Sequence, residues 1–124
     1  MEHTIVHFEI PADNPETLAK FYTELLGWKI EPTEMYEGYW SVSPTPSKAP
    51  GEVVLRGGMI KRMMPQQMPT NYVLVESVAD YLAKASGLGA KVVVDKTEIP
   101  NMGWFGVLLD PQGNPLGLFE MMQK

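Results

Sequence analysis

Two side chains near the start of the chain stand out as a possible reacting pair. His7 and Glu9 lie two residues apart in Thr4 to Ile10, a run rich in β-branched and aromatic residues. Such a run reads as a β-strand, with Val6, Phe8 and Ile10 on one face and Ile5, His7 and Glu9 on the other. Alternate strand residues stand about 6–7 Å apart, so the imidazole and the carboxylate share a face. A carboxylate beside a histidine can orient it and bring its titration into a useful range for a general base. The residue types also allow a structural hydrogen-bonded histidine, a contact to a ligand, or an ordinary ion pair from Glu9 to Arg56 or Lys29. His3 shares the face of His7 but sits ~13 Å away along a strand, too far for both to hold one ion.

Composition narrows the chemistry. The 124 residues include no cysteine, which removes disulfides, thiolate nucleophiles and cysteine metal ligands and suits a cytoplasmic protein. A net charge of -5 argues against nucleic-acid binding, which needs a basic footprint. No apolar run is long enough for a membrane span, and the N-terminus lacks the basic and apolar regions of a signal peptide. The Gly-x-Ser-x-Gly, His-Glu-x-x-His, Gly-x-x-x-x-Gly-Lys and Gly-x-Gly-x-x-Gly patterns are all missing.

The elements that must position His7 and Glu9 repeat. Pro11 ends the first strand. Asn14 caps and Pro15 opens a helix whose stripe is Leu18, Phe21, Tyr22, Leu25 and Leu26, with Gly27 as its stop. Strands are predicted at Trp28 to Pro32, Gly38 to Ser43 and Val53 to Lys61, with a turn-rich loop over Pro44 to Gly51. The plan then recurs: a strand at Thr70 to Glu76, a helix capped by Ser77 with Asp80 in its first turn, and stops at Gly87 and Gly89. Strands at Ala90 to Asp95, Trp104 to Leu109 and Pro115 to Met121 follow, the last two joined by the turn Asp110 to Asn114. Leu18-Ala-Lys20 matches Leu82-Ala-Lys84, and Gly27-Trp-Lys-Ile30 matches Gly89-Ala-Lys-Val92. The fold class is therefore α+β, one domain over 1–124 made of two tandem βαβββ modules, about 1–62 and 69–124. The methionine-rich stretch Met59 to Met68 joins them, as a linker or as an adaptable apolar surface.

Three local patterns carry a family resemblance. They are His7-Phe-Glu-Ile with the Asn14-Pro15 helix start, Phe21-Tyr22 and Leu26-Gly27-Trp28; Ala85-Ser-Gly-Leu-Gly-Ala-Lys91; and the turn Asp110-Pro-Gln-Gly-Asn114. In this order they resemble the glyoxalase / bleomycin-resistance / extradiol-dioxygenase (vicinal oxygen chelate) superfamily. The resemblance implies a curved mixed sheet forming a cup, a homodimer formed by sheet-edge pairing or module exchange, and, in metal-dependent members, a divalent ion held by His, Glu, His and Glu. His7 matches the first ligand. The second position falls among Leu55 to Ile60, which offers Gly57 and Gly58. The third is Thr70 or Asn71, and the fourth is Gly117, with Glu120 on the wrong face to replace it.

A protein binding a small organic molecule, with no metal cofactor, is the expected function. The candidate site residues are His7 and Glu9 for chemistry and Trp40, Gly58, Asn71, Trp104 and Gly117 for ligand contact. Tyr39 and Phe105 are further aromatic candidates, and the glycines would leave room for a ligand; Trp28 and Tyr36 are assigned to packing. One alternative is a metal-dependent lyase, isomerase or dioxygenase using His7. Another is a non-catalytic dimeric interaction module.

Overall fold

The computed structural model describes residues 3–33, 38–44 and 55–122. Tyr36, Val53, most of the Pro44 to Gly51 loop and the first two residues lie outside that set. The described residues form two compact units, one running His7–Pro69 and the other joining the N-terminal stretch through Val6 to the chain from Thr70 onward. The elements run β1 (Ile5–Ala12), α1 (Pro15–Leu26), β2 (Lys29–Pro32), β3 (Tyr39–Ser43) and β4 (Arg56–Lys61), then β5 (Thr70–Leu74), α2 (Val78–Gly87), β6 (Lys91–Ile99), β7 (Gly103–Leu109) and β8 (Pro115–Met121). This is the α+β, twice-repeated βαβββ order.

In the first unit the strand order is β2-β3-β4-β1, with β1 parallel to β4 and the remaining pairs antiparallel. Strands that follow one another in sequence, β2, β3 and β4, pair antiparallel, whereas the fourth strand also lies parallel beside the first. Pro11 does not end β1 as expected; it pairs in register with Ile60, and Ala12 continues the strand. The Arg62 N–H donates to the Ala12 carbonyl at 2.7 Å, so the polar groups of Ala12 point to β4. Those of its neighbour Pro11 point the other way, and the missing N–H costs that ladder nothing.

Helix α1 begins where the Asn14 side chain accepts the Thr17 N–H (3.1 Å) and ends at Gly27, whose φ of 74° is left-handed. Its inner face covers Ala12, Val42 and Met59 through Ala19, with Phe8, Leu18, Trp28, Ile30 and Trp40 around them.

In the second unit the order is β5-β8-β7-β6, again with one parallel pair, β5 and β8. Helix α2 is capped by Ser77, which accepts the Asp80 N–H, and by Glu120, whose carboxylate accepts the Val78 N–H at 3.0 Å. Two first-turn donors that a helix leaves unpaired are thus satisfied. Val78 and Leu82 bury against Val75, Leu108 and Leu118. Gly106 lets the helix lie close, since a Cβ there would stand 3.0 Å from both Leu82 and Val78 side chains.

Strand β6 runs four residues past the predicted end at Asp95. The apolar alternation stops there, but the backbone pairing resumes after irregularities between Val92 and Thr97, through Thr97–Phe105 to Ile99–Gly103. The turn before β8 is built as expected. Asp110 accepts from the backbone of Asn114 and Gln112 and from the Asn114 amide, and those bonds hold its carboxyl below the ordinary carboxylate value. Among the described residues no helix is long and apolar enough to cross a membrane.

Candidate functional site

Strand alternation sorts the candidate residues. In the first unit Phe8, Ala12, Trp40, Val42 and Met59 pack on the α1 side. Residues of opposite parity therefore face away from the helix: His7 and Glu9 on β1, Gly58 on β4, and Tyr39 and Ser41 on β3. The ladder aligns Glu9 with Gly58 and Gly58 with Ser41.

His7 is half-buried, and its Nε2 shares a 2.9 Å hydrogen bond with the Tyr39 hydroxyl. This contact spans two strand spacings, about 9–10 Å. Tyr39 covers that span by lying diagonally over β4. A Cβ at Gly58 would sit 1.8 Å from its hydroxyl oxygen and 2.2 Å from the ring carbon bearing it. Gly58 is thus the gap through which Tyr39 reaches His7. Burial lowers the imidazole pKa below its ordinary value of 6.5, because desolvation disfavours the charged ring. A neutral imidazole joined to a phenol can accept a proton, donate one, or pass one along, according to tautomer. Lys29, one expected partner of Glu9, lies 3.1 Å from Glu31.

Trp40 packs in the cluster under α1, on the face opposite His7. Gly57 also faces α1, and the Phe8 ring occupies the space beside it; a Cβ there would lie 2.3 Å from that ring.

The second unit shows the same division. Val73, Leu116, Leu118 and Trp104 belong to the cluster under α2. Trp104 also carries the Lys96 ammonium 4.7 Å from its ring centroid. Tyr72, Phe105 and Gly117 have the opposite parity. Tyr72 is buried, contacts Phe105 edge-on at 6.4 Å between ring centres, and fills the space beside Gly117, where a Cβ would lie 2.3 Å from its ring. Asn71 is exposed and alternates with Tyr72, so it faces the other way and Thr70 shares the Tyr72 face. His3 bonds to the Tyr81 hydroxyl at 2.9 Å.

The aromatic candidates therefore divide by parity. Tyr39 and Phe105 share faces with His7 and Gly117 respectively, whereas Trp40 and Trp104 are on the helix-covered faces. The glycines do not leave open room beside their strands, because Tyr39 and Tyr72 take up the side-chain space at Gly58 and Gly117. The partnership of Tyr39 with His7 was not read from the sequence. Its signal was the glycine placed between two strands whose order only the fold reveals.

The chain matches the glyoxalase-like domain family over residues 6–119. It belongs to that family. Among curated proteins, CFP32 of Mycobacterium tuberculosis and of Mycobacterium bovis, both provisionally named glyoxylases, are 30% identical over 113 residues. The match covers 89% of this chain but 41% of each relative, so the chain spans well under half of their length. Among solved structures, methylmalonyl-CoA epimerase of Streptomyces coelicolor, in complex with 2-nitronate-propionyl-CoA, superposes with a TM-score of 0.67 at 15% identity. That match covers 98% of this chain and all of the other. The epimerase of Mycobacterium tuberculosis gives 0.63 at 12% identity, covering 96% and 88% of the two chains. At such identities these likenesses establish the glyoxalase / bleomycin-resistance fold alone.

The superfamily's metal can be tested against these residues. Among those described, no group of three or more His, Cys, Asp or Glu side chains is placed to hold an ion. Gly58 and Gly117 offer no ligand atom, and the Tyr39 and Tyr72 side chains stand in their space. Glu120 is committed to the Val78 N–H and lies 3.8 Å from Lys96. Its even position puts it on the α2 side, as the parity argument required. These residues do not fit the ligand set of the metal-dependent members.

Proposed function

We propose that this glyoxalase-like domain binds a small organic molecule without a metal centre, and that the His7–Tyr39 pair is its polar anchor. The observation that carries this reading is the 2.9 Å contact between His7 Nε2 and the Tyr39 hydroxyl, made across Gly58. In a metal site the imidazole nitrogen would face an ion and the β4 position would supply a carboxylate. Here a phenol faces the nitrogen and a glycine makes way for it.

The pair supplies hydrogen-bonding groups with a neutral imidazole behind them. It suits an oxygenated organic ligand, such as a carbonyl compound or a phenol, that exchanges one hydrogen bond with the Tyr39 hydroxyl. If the protein turns its ligand over, the chemistry available is proton transfer, with His7 as the base and Tyr39 as the relay. Glu9, on the same face, adds a carboxylate that orients polar ligands.

A thermal-shift screen of small carbonyl, carboxylate and phenolic compounds tests the reading. A ligand at 100 times its dissociation constant should add about 2.7 kcal/mol of stability. Tyr39→Phe removes one hydrogen bond and should weaken a true hit roughly tenfold, equivalent to about 1.4 kcal/mol. A screen without hits, or hits indifferent to both Tyr39→Phe and His7→Gln, would overturn the assignment.

A further inference from the structure

The face of the first unit that carries His7 holds a further polar group. Arg56 opens β4 and is the ladder partner of His7. Paired residues on neighbouring strands send their side chains to the same side of the sheet. The next rung confirms the register, since Phe8 meets Gly57 on the α1 side. Arg56 therefore leaves the sheet on the His7 side, and it is exposed. Gly58 follows two residues along the same strand.

The charges on this face sort into a pair and two singles. Lys29 and Glu31 align with Ser43 and Ser41, so they share the face, and they lie 3.1 Å apart. Arg62, beyond the end of β4, pairs with Asp13. Among the described residues Arg56 makes no ion pair, and the bond to Glu9 that the sequence allows is not formed. The register shows why. His7 and Arg56 occupy one rung of β1 and β4, and Glu9 and Gly58 the rung two residues on. The Tyr39 hydroxyl lies over Gly58 and bonds to His7, along one diagonal of that square. Glu9 and Arg56 stand at the ends of the other diagonal, with the His7–Tyr39 contact between them.

Arg56 is thus the positive charge on this face that no described carboxylate answers, in a chain whose net charge is -5. Burial keeps the neighbouring imidazole neutral, so it adds no second cation. Alternate strand residues are about 6–7 Å apart, close to the reach of an arginine side chain, so the guanidinium can come beside the Tyr39 hydroxyl or stand a small ring's width from it.

We propose that Arg56 is the anion anchor of this site and that its ligand is a small carboxylic acid bearing a keto or hydroxyl oxygen. The proposal rests on the His7–Tyr39 pair as the polar anchor and adds the class of ligand. The guanidinium fork matches both carboxylate oxygens, on the side of the pair away from Glu9. The keto or hydroxyl oxygen exchanges its hydrogen bond with Tyr39.

Calorimetric titration of the full chain with hydroxybenzoates and small 2-oxo acids, each beside its neutral amide, isolates the charge, because both members of a pair offer Tyr39 the same oxygen. At low salt the acids should bind roughly tenfold tighter than their amides. Arg56→Gln should abolish that preference. Arg56→Lys should keep only part of it, because an ammonium lacks the fork. Lys61→Gln removes an exposed charge from the α1 side of the same strand and should leave the preference intact. Tyr39→Phe should weaken acids and amides alike. Circular dichroism checks that each variant is folded. Acids that do not bind, amides that bind as tightly as acids, or a preference that survives Arg56→Gln would overturn the Arg56 proposal. Amides that bind as tightly as acids and are weakened by Tyr39→Phe would do so while upholding the His7–Tyr39 anchor. Acids that depend on Arg56 but are indifferent to Tyr39→Phe would uphold the Arg56 contact and overturn the anchor.

Discussion

Gly103→Ala is expected to destabilise the protein by about 3 kcal/mol or more, lowering the melting temperature by roughly 10 °C or more. Two independent costs meet at this position. Its φ of 154° lies where L side chains are rarely found. A Cβ there would also stand 1.9 Å from the Glu120 carbonyl oxygen and 3.0 Å from the Met122 nitrogen. Both are backbone atoms, which cannot rotate aside as a side-chain tip can. Gly103 pairs with Met121, and the Met122 N–H donates to the Met102 carbonyl, so the crowded atoms sit inside the β7–β8 pairing. Movement of Glu120 would also loosen its side-chain bond to the Val78 N–H at the start of α2.

Gly113→Ala provides the comparison. Its φ is 87°, yet nothing lies within 4 Å of an added Cβ. It should cost only the conformational strain, about 1 kcal/mol. Urea unfolding of both variants gives the two costs directly. Equal losses, or a Gly103→Ala protein as stable as the parent, would show that the β7–β8 approach is not as tight as described.

Gly58→Ala should leave the fold intact and dismantle the His7–Tyr39 pair. The added Cβ meets the far end of the tyrosine, 1.8 Å from the hydroxyl oxygen, and a side-chain end can swing away. The expected stability loss is about 1–2 kcal/mol, including the lost hydrogen bond. Ligand binding should fall by roughly tenfold or more, matching Tyr39→Phe.

The pH dependence identifies the titrating member. Burial depresses the pKa of His7 in the folded chain below 6.5. As pH falls through the ordinary histidine range, the unfolded chain takes up a proton that the folded chain resists. Stability is therefore full above about pH 6.5 and lost progressively as pH falls through the folded pKa. His7→Gln should flatten this part of the profile. A profile from pH 8 to pH 5 that His7→Gln leaves unchanged would show that His7 does not carry this pH dependence.

Local signals in the sequence were legible where local physics decides. Asn14, Pro15, Gly27 and Ser77 act within one helical turn, and each does what its residue type dictates. The Asp110 turn is likewise closed by its own residues. The limits appear where neighbours from distant parts of the chain decide. Pro11 looks like a terminator until the Ala12–Arg62 bond shows which way its nitrogen faces. β6 looks finished at Asp95 because the apolar pattern stops, although its backbone pairing resumes to Ile99.

The same limit governed the candidate site. Trp40 and Tyr39 are adjacent on one strand, and so are Trp104 and Phe105; alternation forbids both members of either pair from facing the same way. That much was readable from spacing alone. Tyr39 as the partner of His7 was not, because β3 and β1 are separated in the sheet by β4, which follows β3 in sequence. Gly58 and Gly117 pointed to room beside the strands. The fold shows that Tyr39 and Tyr72 use that room.

The proposed binding site places the His7–Tyr39 pair where metal-dependent members of the family hold an ion. Elemental analysis of protein purified without chelator, alongside His7→Ala, tests this. Mn, Fe, Co, Ni and Zn are all expected far below one equivalent, with no difference between the two proteins. One equivalent of any of them in the parent, lost in His7→Ala, would contradict it.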